Sequence, residues 1–327
     1  MKRIQQLFSL YLLLFLSVCL YSSCEEEYHI DSREISDAIA FDGVITNEPP
    51  PYFFRLTHVA SIGEYEDGVV DAQIVVTDHT VGLKDTMKLL TPIKEGMGLV
   101  VTYYDYHSKK QVVDGLNNFK ANGDGIYVTT KIYGVENHRY TLDILYKGEH
   151  HIAEEIMVPK TPITAMTVKE VDLGEKGKKM APCINFVNRQ GEENYYLLKT
   201  DRYSTKVRRV AWINRFFNAE NFWPFSILSD EYLEENVQDF IVSEGEQNSG
   251  APGINYPQNS DSLFVWMQSI SKACYDCYGE MIEQLRTDGG AYTPRPVTVR
   301  SNISGGVLGL FRVSAISERY VLLKNRK

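Results

Sequence analysis

Apolar and polar residues alternate with a period of two along most of the chain. Residues 69–77 are the clearest example, because every second residue from Val70 to Val76 is apolar. Comparable runs, rich in β-branched and aromatic residues, predict strands at 38–46, 52–57, 99–104, 126–132, 140–146, 164–171, 184–187, 195–200, 207–213, 263–270 and 307–313. Turn sequences such as Lys147-Gly148 separate these runs. The pattern therefore predicts a mainly β protein.

Two prolines divide this pattern near the middle of the chain. They lie in Val158-Pro159-Lys160-Thr161-Pro162, and a new strand pattern begins at Thr164. Seven or eight short strands before this point predict an immunoglobulin-like β-sandwich over residues 35–160. Residues 161–327 are predicted to form a second β-rich domain, either another sandwich or a barrel-like sheet.

One segment of the second domain has a helical period. Its apolar residues recur at spacings of four, three, one and three, which places them on one helical face: Cys274, Tyr278, Met281, Ile282 and Leu285. Ser271 is a suitable N-cap, and the glycines at 289 and 290 can end the helix. We therefore predict a helix over residues 271–287.

The first 23 residues have the organisation of an export signal. Lys2 and Arg3 precede an apolar run of 14 residues, from Leu7 to Leu20, and small residues follow at 22 and 23. As a helix, this run would be roughly 21 Å long, which is shorter than the ~30 Å hydrocarbon core of a membrane. A signal peptide over residues 1–23 is therefore favoured over a membrane-spanning anchor.

Cys24 directly follows this signal. The order Leu20-Tyr21-Ser22-Ser23-Cys24 is similar to a bacterial lipobox, whose cysteine carries lipid after cleavage. Residues 24–34 would then be an acylated cysteine and an acidic tether, and Glu25, Glu26 and Glu27 resemble the surface-export signal of Bacteroidota lipoproteins. The alternatives are a secreted protein with an incidental cysteine and a merely solvated acidic run.

Charge argues against one class of partner. The chain of 327 residues has 34 Lys and Arg against 43 Asp and Glu, so its formal net charge is −9. Nucleic-acid-binding proteins present a basic face, which this balance does not favour. We therefore expect no nucleic-acid partner.

Histidine and cysteine residues are segregated along the chain. All seven histidines lie at or before His151, whereas the later cysteines are Cys183, Cys274 and Cys277. A mixed zinc site would have to join the two domains, and a Ser-His-Asp triad could not form within the second domain. We therefore expect no metal site, no cofactor and no catalytic residues, and the protein is predicted not to be an enzyme. The CxxC of Cys274 and Cys277 remains open between buried apolar residues, one structural disulfide and metal or redox chemistry.

Three further features have competing interpretations. His150 and His151 would point to opposite faces of a strand, and Glu154-Glu155 is interpreted as a solvated pair. Gly305 and Gly306 are interpreted as a structural turn rather than an anion-binding loop. Aromatic residues in poorly periodic stretches mark either a ligand surface or core beneath long loops, and the candidates are Tyr103, Tyr104, Phe222 and Trp223.

Three stretches resemble one family. They are Phe41–Pro49 with Tyr52 and Leu56, Gly125–Tyr127 followed by Tyr140–Ile144, and Pro296 with Ser301–Phe311. In order and spacing they are similar to Bacteroidota outer-membrane lipoproteins whose domain has no assigned function. The resemblance covers almost all of the chain after the signal, and it supplies no catalytic residues.

The resemblance implies an accessory role, because such proteins are often encoded beside TonB-dependent receptors. We therefore expect a lipid-anchored protein facing outward from the outer membrane. It would bind an unknown small-molecule, glycan or protein ligand, or assist a TonB-dependent receptor barrel in nutrient uptake. The alternatives are an adhesin or surface-structure component and, less favoured, an extracellular hydrolase.

Overall fold

The fold is given by a computed structural model. It describes residues 38–59, 68–90, 99–105, 110–116, 125–172, 177–203, 225–242, 262–286 and 299–322, and all structural statements below concern these residues. All of them belong to one compact unit.

Seventeen strands and one helix are present in this part of the chain. In chain order they are β1 (Ile39–Thr46), β2 (Phe53–His58), β3 (Gln73–Asp78), β4 (Leu83–Thr86), β5 (Lys88–Leu89), β6 (Leu99–Asp105), β7 (Lys110–Leu116), β8 (Ile126–Val128), β9 (Arg139–Tyr146), β10 (Glu149–Ile156), β11 (Ile163–Asp172), β12 (Lys178–Val187), β13 (Tyr195–Tyr203), β14 (Phe225–Ser229), β15 (Asn236–Ile241), β16 (Ser262–Ile270), α1 (Lys272–Arg286) and β17 (Leu308–Leu322).

The strands form one long sheet and three smaller sheets. The long sheet has the order β14-β13-β16-β17-β1-β2-β8-β5. The others have the orders β10-β9-β3-β4 and β11-β12-β15, and β6 pairs with β7. The four sheets are open among the described residues. The predicted mainly β fold with a helix in the C-terminal region is therefore confirmed.

Strand β17 connects the two halves of the long sheet. Its first seven residues pair in parallel with β1, from Ala40 opposite Leu308 to Thr46 opposite Ser314. The following residues pair antiparallel with β16, ending with Leu322 opposite Ser262. The long sheet therefore joins strands from both sides of residue 160, and the two β-rich parts predicted from sequence share it.

Each half of the long sheet packs against one smaller sheet. The first hydrophobic core lies between β1, β2, β8 and β17 and the sheet β10-β9-β3-β4, and it contains the edge-to-face rings of Phe41, Phe54 and Phe311. The second core lies between β13 and β16 and the sheet β11-β12-β15, around Phe186 and Tyr196. We call these layers the first and second sandwiches. Five residues near the end of the chain also belong to the first core: Ile303, Val307, Phe311, Val313 and Ala315.

Helix α1 packs on the other face of the long sheet. Leu197 contacts the helix, whereas its neighbours Tyr196 and Leu198 belong to the second core, because successive side chains of a strand point to opposite faces. The Ser271 hydroxyl accepts a hydrogen bond from the backbone N–H of Cys274 at 3.2 Å, as an N-cap residue does. In the part of the chain that is described, no helix is long and apolar enough to span a membrane.

Candidate functional site

Most of the predicted site residues lie outside the described part of the chain. This applies to Cys24, to Glu25, Glu26 and Glu27, and to Phe222 and Trp223. The backbones of Tyr103 and Tyr104 lie in β6, and their side chains lie outside the described part of the structure. The proposed lipidation, export signal and aromatic ligand surface therefore stay predictions.

Gly305 and Gly306 lie in a turn before β17. Both have positive φ angles, of 74° and 76°, which glycine adopts without strain. A Cβ atom at Gly305 would lie 2.4 Å from Nδ1 of the buried His151, so this position has no room for a side chain. The turn thus packs directly on β10, where His151 faces inward and His150 faces outward beside Asp143.

Glu155 in β10 is buried, so the prediction of a solvated pair is wrong for this residue. Its exposed fraction is 4 %, whereas the side chain of Glu154 is 55 % exposed. Strand β10 alternates between outward and inward side chains, so neighbouring carboxylates have opposite environments. The pattern of residues does not reveal this inward face, because Glu149-His150-His151 and Glu154-Glu155 make the strand look polar on both sides.

Buried and half-buried polar groups surround Glu155, and we call the set the Glu155 cluster: Glu155, Ser271, Cys274 and Asn302. The amide nitrogen of Asn302 donates a hydrogen bond to Oε1 of Glu155 at 2.8 Å, and the thiol of Cys274 lies 3.8 Å from the same oxygen. Asn302 also pairs with both backbone groups of Phe311, at 2.7 and 3.0 Å. The cluster therefore ties β10 to the start of α1 and to β17.

Burial dominates the protonation of this cluster. It raises the pKa of Glu155, although hydrogen bonds from Ser271, Asn302 and Cys274 act in the opposite direction. Burial also raises the pKa of Cys274 well above its usual value, and it raises the pKa of Cys277 to about 11. Both thiols are therefore protonated at neutral pH, which disfavours nucleophilic chemistry.

The described cysteines are all free. Cys183, Cys274 and Cys277 are buried and form no disulfide with one another. Of the interpretations left open for the CxxC, buried small residues on the helix agree best with this environment. Within the described ranges, no group of three or more His, Cys, Asp or Glu side chains is arranged to hold a metal ion.

A second set of buried polar groups holds the segment 129–138, which we call the anchored loop. Asp85 on β4 is fully buried and accepts the backbone N–H groups of residues 130, 131 and 132 at 2.7, 2.6 and 2.9 Å. Its other carboxylate oxygen accepts the hydroxyl of Thr130 at 2.6 Å. One side chain thus replaces the backbone partners that this loop lacks.

Two buried tyrosines hold the next residues of the anchored loop. The hydroxyl of Tyr52 accepts the N–H of Gly134 at 3.0 Å and lies 2.8 Å from the carbonyl oxygen of Thr46. The hydroxyl of Tyr140 accepts the N–H of Val135 at 2.8 Å and donates to the carbonyl of Tyr133 at 2.8 Å. The path of the backbone through residues 130–135 is therefore fixed by three side chains from outside the loop.

The three side chains that hold the anchored loop, those of Asp85, Tyr52 and Tyr140, each remain in a single protonation state at neutral pH. Burial acts to raise the pKa of Asp85, but the hydrogen bonds from Thr130, Lys131 and Ile132 outweigh it, and the pKa lies below its usual value. Burial raises the pKa values of Tyr52 and Tyr140, so both hydroxyls stay protonated. Sequence reasoning missed this site, because no local motif links Asp85 to a loop 45 residues later.

The anchored loop presents apolar side chains to solvent. Tyr133 is 59 % exposed and Val135 is 41 % exposed, whereas Ile132 between the anchors is fully buried. Gly134 lies so close to Thr46 that a Cβ atom would be 2.0 Å from its carbonyl oxygen. The loop is thus pressed against the end of β1 while its exposed side chains point outward, and it is the candidate recognition site of the described chain.

Comparison with known proteins identifies a family and no individual relative. No curated protein and no solved structure matches the chain. One family profile, described as "Domain of unknown function (DUF4249)", matches residues 25–320. Because this match covers most of the sequence, the chain belongs to the DUF4249 family.

Proposed function

We propose that this protein is a surface-exposed outer-membrane lipoprotein of the Bacteroidota type. It binds a ligand or assists a TonB-dependent receptor in nutrient uptake, and it catalyses no reaction. The observation that carries the proposal is the junction at Cys24. A charged and apolar leader ends at this cysteine, and the family match begins at the next residue, 25.

The chemistry of this junction supports membrane attachment. Each buried methylene of an acyl chain contributes about 0.8 kcal/mol, so several chains on one cysteine hold a protein firmly. Thirteen residues separate Cys24 from Ala38, the first residue described. Fully extended, they reach at most about 50 Å, which keeps the folded part near the membrane.

The polar groups described above support a binding role rather than a catalytic one. The carboxyl of Glu155 and the thiol of Cys274 face each other in the interior, and the raised pKa values keep the thiol from ionising. Asp85 is committed to backbone N–H groups. Rigid scaffolds that carry exposed loops are typical of recognition proteins.

Acylation is tested by replacing the cysteine. We expect Cys24→Ala to abolish palmitate labelling of the full-length protein in its own cells and to release the protein from the membrane fraction. Cys19→Ala is the matched control, because Cys19 lies within the apolar run and should leave labelling unchanged. Membrane attachment and labelling that persist in Cys24→Ala would refute the lipoprotein assignment.

The acidic run and the receptor role have separate tests. Replacing Glu25, Glu26 and Glu27 with alanine is expected to leave acylation intact. The protein should then no longer be digested by protease added outside the cells. Purification of the wild type in mild detergent should recover a stoichiometric outer-membrane receptor, identified by mass spectrometry. Recovery of the lipoprotein alone would refute the accessory role and favour a free-standing binder or adhesin.

A further inference from the structure

Helix α1 meets strand β10 at the carboxyl of Glu155. The strand belongs to the first sandwich, whereas the helix packs on the other face of the long sheet. The thiol of Cys274 lies 3.8 Å from Oε1 of Glu155, which is 119 residues earlier in the chain, and the hydroxyl of Ser271 bonds the same carboxyl. Glu155 therefore connects the first turn of α1 to a second layer of the fold, besides the long sheet on which the helix packs.

The groups that bond the Glu155 carboxyl are all neutral. They are the hydroxyl of Ser271, the amide of Asn302 and the thiol of Cys274. In the part of the chain that is described, no lysine, arginine or histidine forms an ion pair with this carboxyl. A side chain that is 4 % exposed and lacks a cationic partner is costly to ionise, so the closed junction favours the protonated carboxyl.

Charged groups on the helix side of the junction are paired with one another. Lys272 and Asp276 form an ion pair at 2.8 Å, and Glu280 accepts hydrogen bonds from the side chain and the backbone N–H of Arg300. Cys277 stays protonated at neutral pH, because burial raises its pKa to about 11. These groups therefore leave the charge of an ionised Glu155 without compensation.

Charged groups on the strand side are likewise engaged elsewhere. On β17, Nη1 of Arg312 donates a hydrogen bond to the hydroxyl of Tyr278 at 2.7 Å. Arg312 also acts on the thiol of Cys274, but within the described residues it forms no ion pair with Glu155. Asp42 on β1 acts on Tyr278, and the imidazole of His151 on β10 faces the glycine turn at 305. The strands around Glu155 therefore add no counter-ion to the neutral groups that bond it.

The later turns of α1 are attached independently of Glu155. Tyr278, Met281 and Ile282 pack with Leu197 and Leu310 of the long sheet. The first turn is joined to β10 by hydrogen bonds between neutral groups, and the net contribution of each such bond is modest. A buried charge without a counter-ion costs more than these bonds contribute. Ionisation therefore favours a local opening that brings water to the carboxylate while the later turns stay in place.

We propose that Glu155 is a pH-responsive latch on helix α1. While its carboxyl is protonated, the first turn of α1 is closed on β10, and when the carboxyl ionises, this turn separates from the strand and the thiol of Cys274 becomes accessible. Because burial raises the pKa of Glu155, the open fraction increases as pH rises through this folded-state value. The latch goes beyond the proposed function and depends neither on acylation nor on a receptor.

The test follows the reactivity of the thiol that the latch covers. The folded full-length protein is treated briefly with N-ethylmaleimide at several pH values, and mass spectrometry measures the labelling of each cysteine. Cys183 in β12 is the reference, because it is also free and buried and its pKa is also raised, so the rise in thiolate fraction with pH cancels in the ratio of the two rates. From about pH 5 to about pH 8, we expect the labelling rate of Cys274 relative to Cys183 to rise about tenfold. The ratio should stay constant in Glu155→Gln, whereas the matched control Glu154→Gln should behave as the wild type does.

Amide hydrogen exchange of the first turn gives a second readout. The backbone N–H groups of Cys274 and Tyr275 bond Ser271 at 3.2 and 3.0 Å, and they should lose protection with rising pH in the wild type but not in Glu155→Gln. A labelling ratio that is constant with pH in the wild type, or that rises equally in Glu155→Gln, would overturn the latch. Labelling that rises without loss of amide protection would also overturn it, because water would then reach the cluster without separation of the helix. A Glu155→Gln chain that is unfolded at neutral pH would overturn it too, since the fold would then require the ionised carboxylate.

Discussion

Two buried carboxylates of the first sandwich have opposite protonation behaviour. Asp85 and Glu155 are both almost without solvent exposure, yet the pKa of Asp85 is lowered and that of Glu155 is raised. Burial acts to raise both pKa values. The difference therefore arises from the groups that donate hydrogen bonds to each carboxylate.

The donors differ in number and in kind. Asp85 accepts three backbone N–H groups and one hydroxyl at 2.6–2.9 Å. Glu155 accepts only from side chains, namely those of Ser271 and Asn302 and the distant thiol of Cys274. A rigid backbone gives fixed dipoles that stabilise a charge, whereas a few side-chain donors leave most of the desolvation cost in place. The surroundings of Asp85 thus favour the ionised carboxylate, whereas those of Glu155 favour the protonated carboxyl.

The largest expected effect is that of removing the charge from the anchored loop. Asp85→Ala leaves three backbone N–H groups without partners, among them the buried one of Ile132, and we expect the free energy of unfolding to fall by about 4 kcal/mol. Urea unfolding measures this loss. Asp85→Asn keeps one acceptor and should cost about half as much. A loss below about 1 kcal/mol in Asp85→Ala would show that water replaces the carboxylate and that the comparison fails.

The pH dependence of this loss has a definite sign. The lowered pKa of Asp85 means that its stabilisation is present above the unfolded-state pKa of about 3.9 and is lost as pH falls through the folded-state value. The stability difference between the wild type and Asp85→Asn should therefore shrink in acid. A difference that is constant with pH would indicate that shape rather than charge holds the loop.

A smaller loss is expected when the Glu155 cluster loses its amide. Asn302→Ala removes the donor to Glu155 and both bonds to the backbone of Phe311, and we expect a loss of about 2–3 kcal/mol in urea unfolding. Asn185→Ala is the control, since the side chain of Asn185 bonds Gln238 and Asp239 at the surface and should cost less than about 1 kcal/mol. Equal losses would mean that the exposure of the hydrogen bonds, which are half-buried at Asn302 and exposed at Asn185, does not distinguish the two amides.

Local patterns in the sequence predict the helices and strands that are determined by residues adjacent along the chain. The predicted helix over 271–287 corresponds to α1 at Lys272–Arg286, and the predicted strand at 140–146 corresponds to β9 at Arg139–Tyr146. The strand predicted at 307–313 is β17, which continues to Leu322 because its second half pairs with β16. That pairing depends on residues more than 40 positions away, which a local period cannot reveal.

The same limit of local patterns applies to the contacts of the candidate site. Turn chemistry alone predicts the glycine turn at 305 and 306, because positive φ is a local requirement. By contrast, Glu155 meets Cys274 across 119 residues, and Asp85 meets Lys131 across 46. Each of these carboxylates looks solvated in the sequence, since its burial depends on which segments the fold brings together.

The smallest expected change in stability is that of Glu155→Gln, and its pH dependence best distinguishes Glu155 from Asp85. Because the pKa of Glu155 is raised, its favourable contribution is complete below the unfolded-state value of about 4.3 and is lost as pH rises through the folded-state value. Glu155→Gln keeps an acceptor for Asn302 without a buried charge, so we expect a gain of about 1 kcal/mol at pH 7 and almost none at pH 4. Glu154→Gln, on the exposed face of the same strand, should change stability by less than about 0.5 kcal/mol at either pH. A loss of stability for Glu155→Gln at pH 7 would mean that the start of α1 stabilises the ionised form, and the two carboxylates would then be alike.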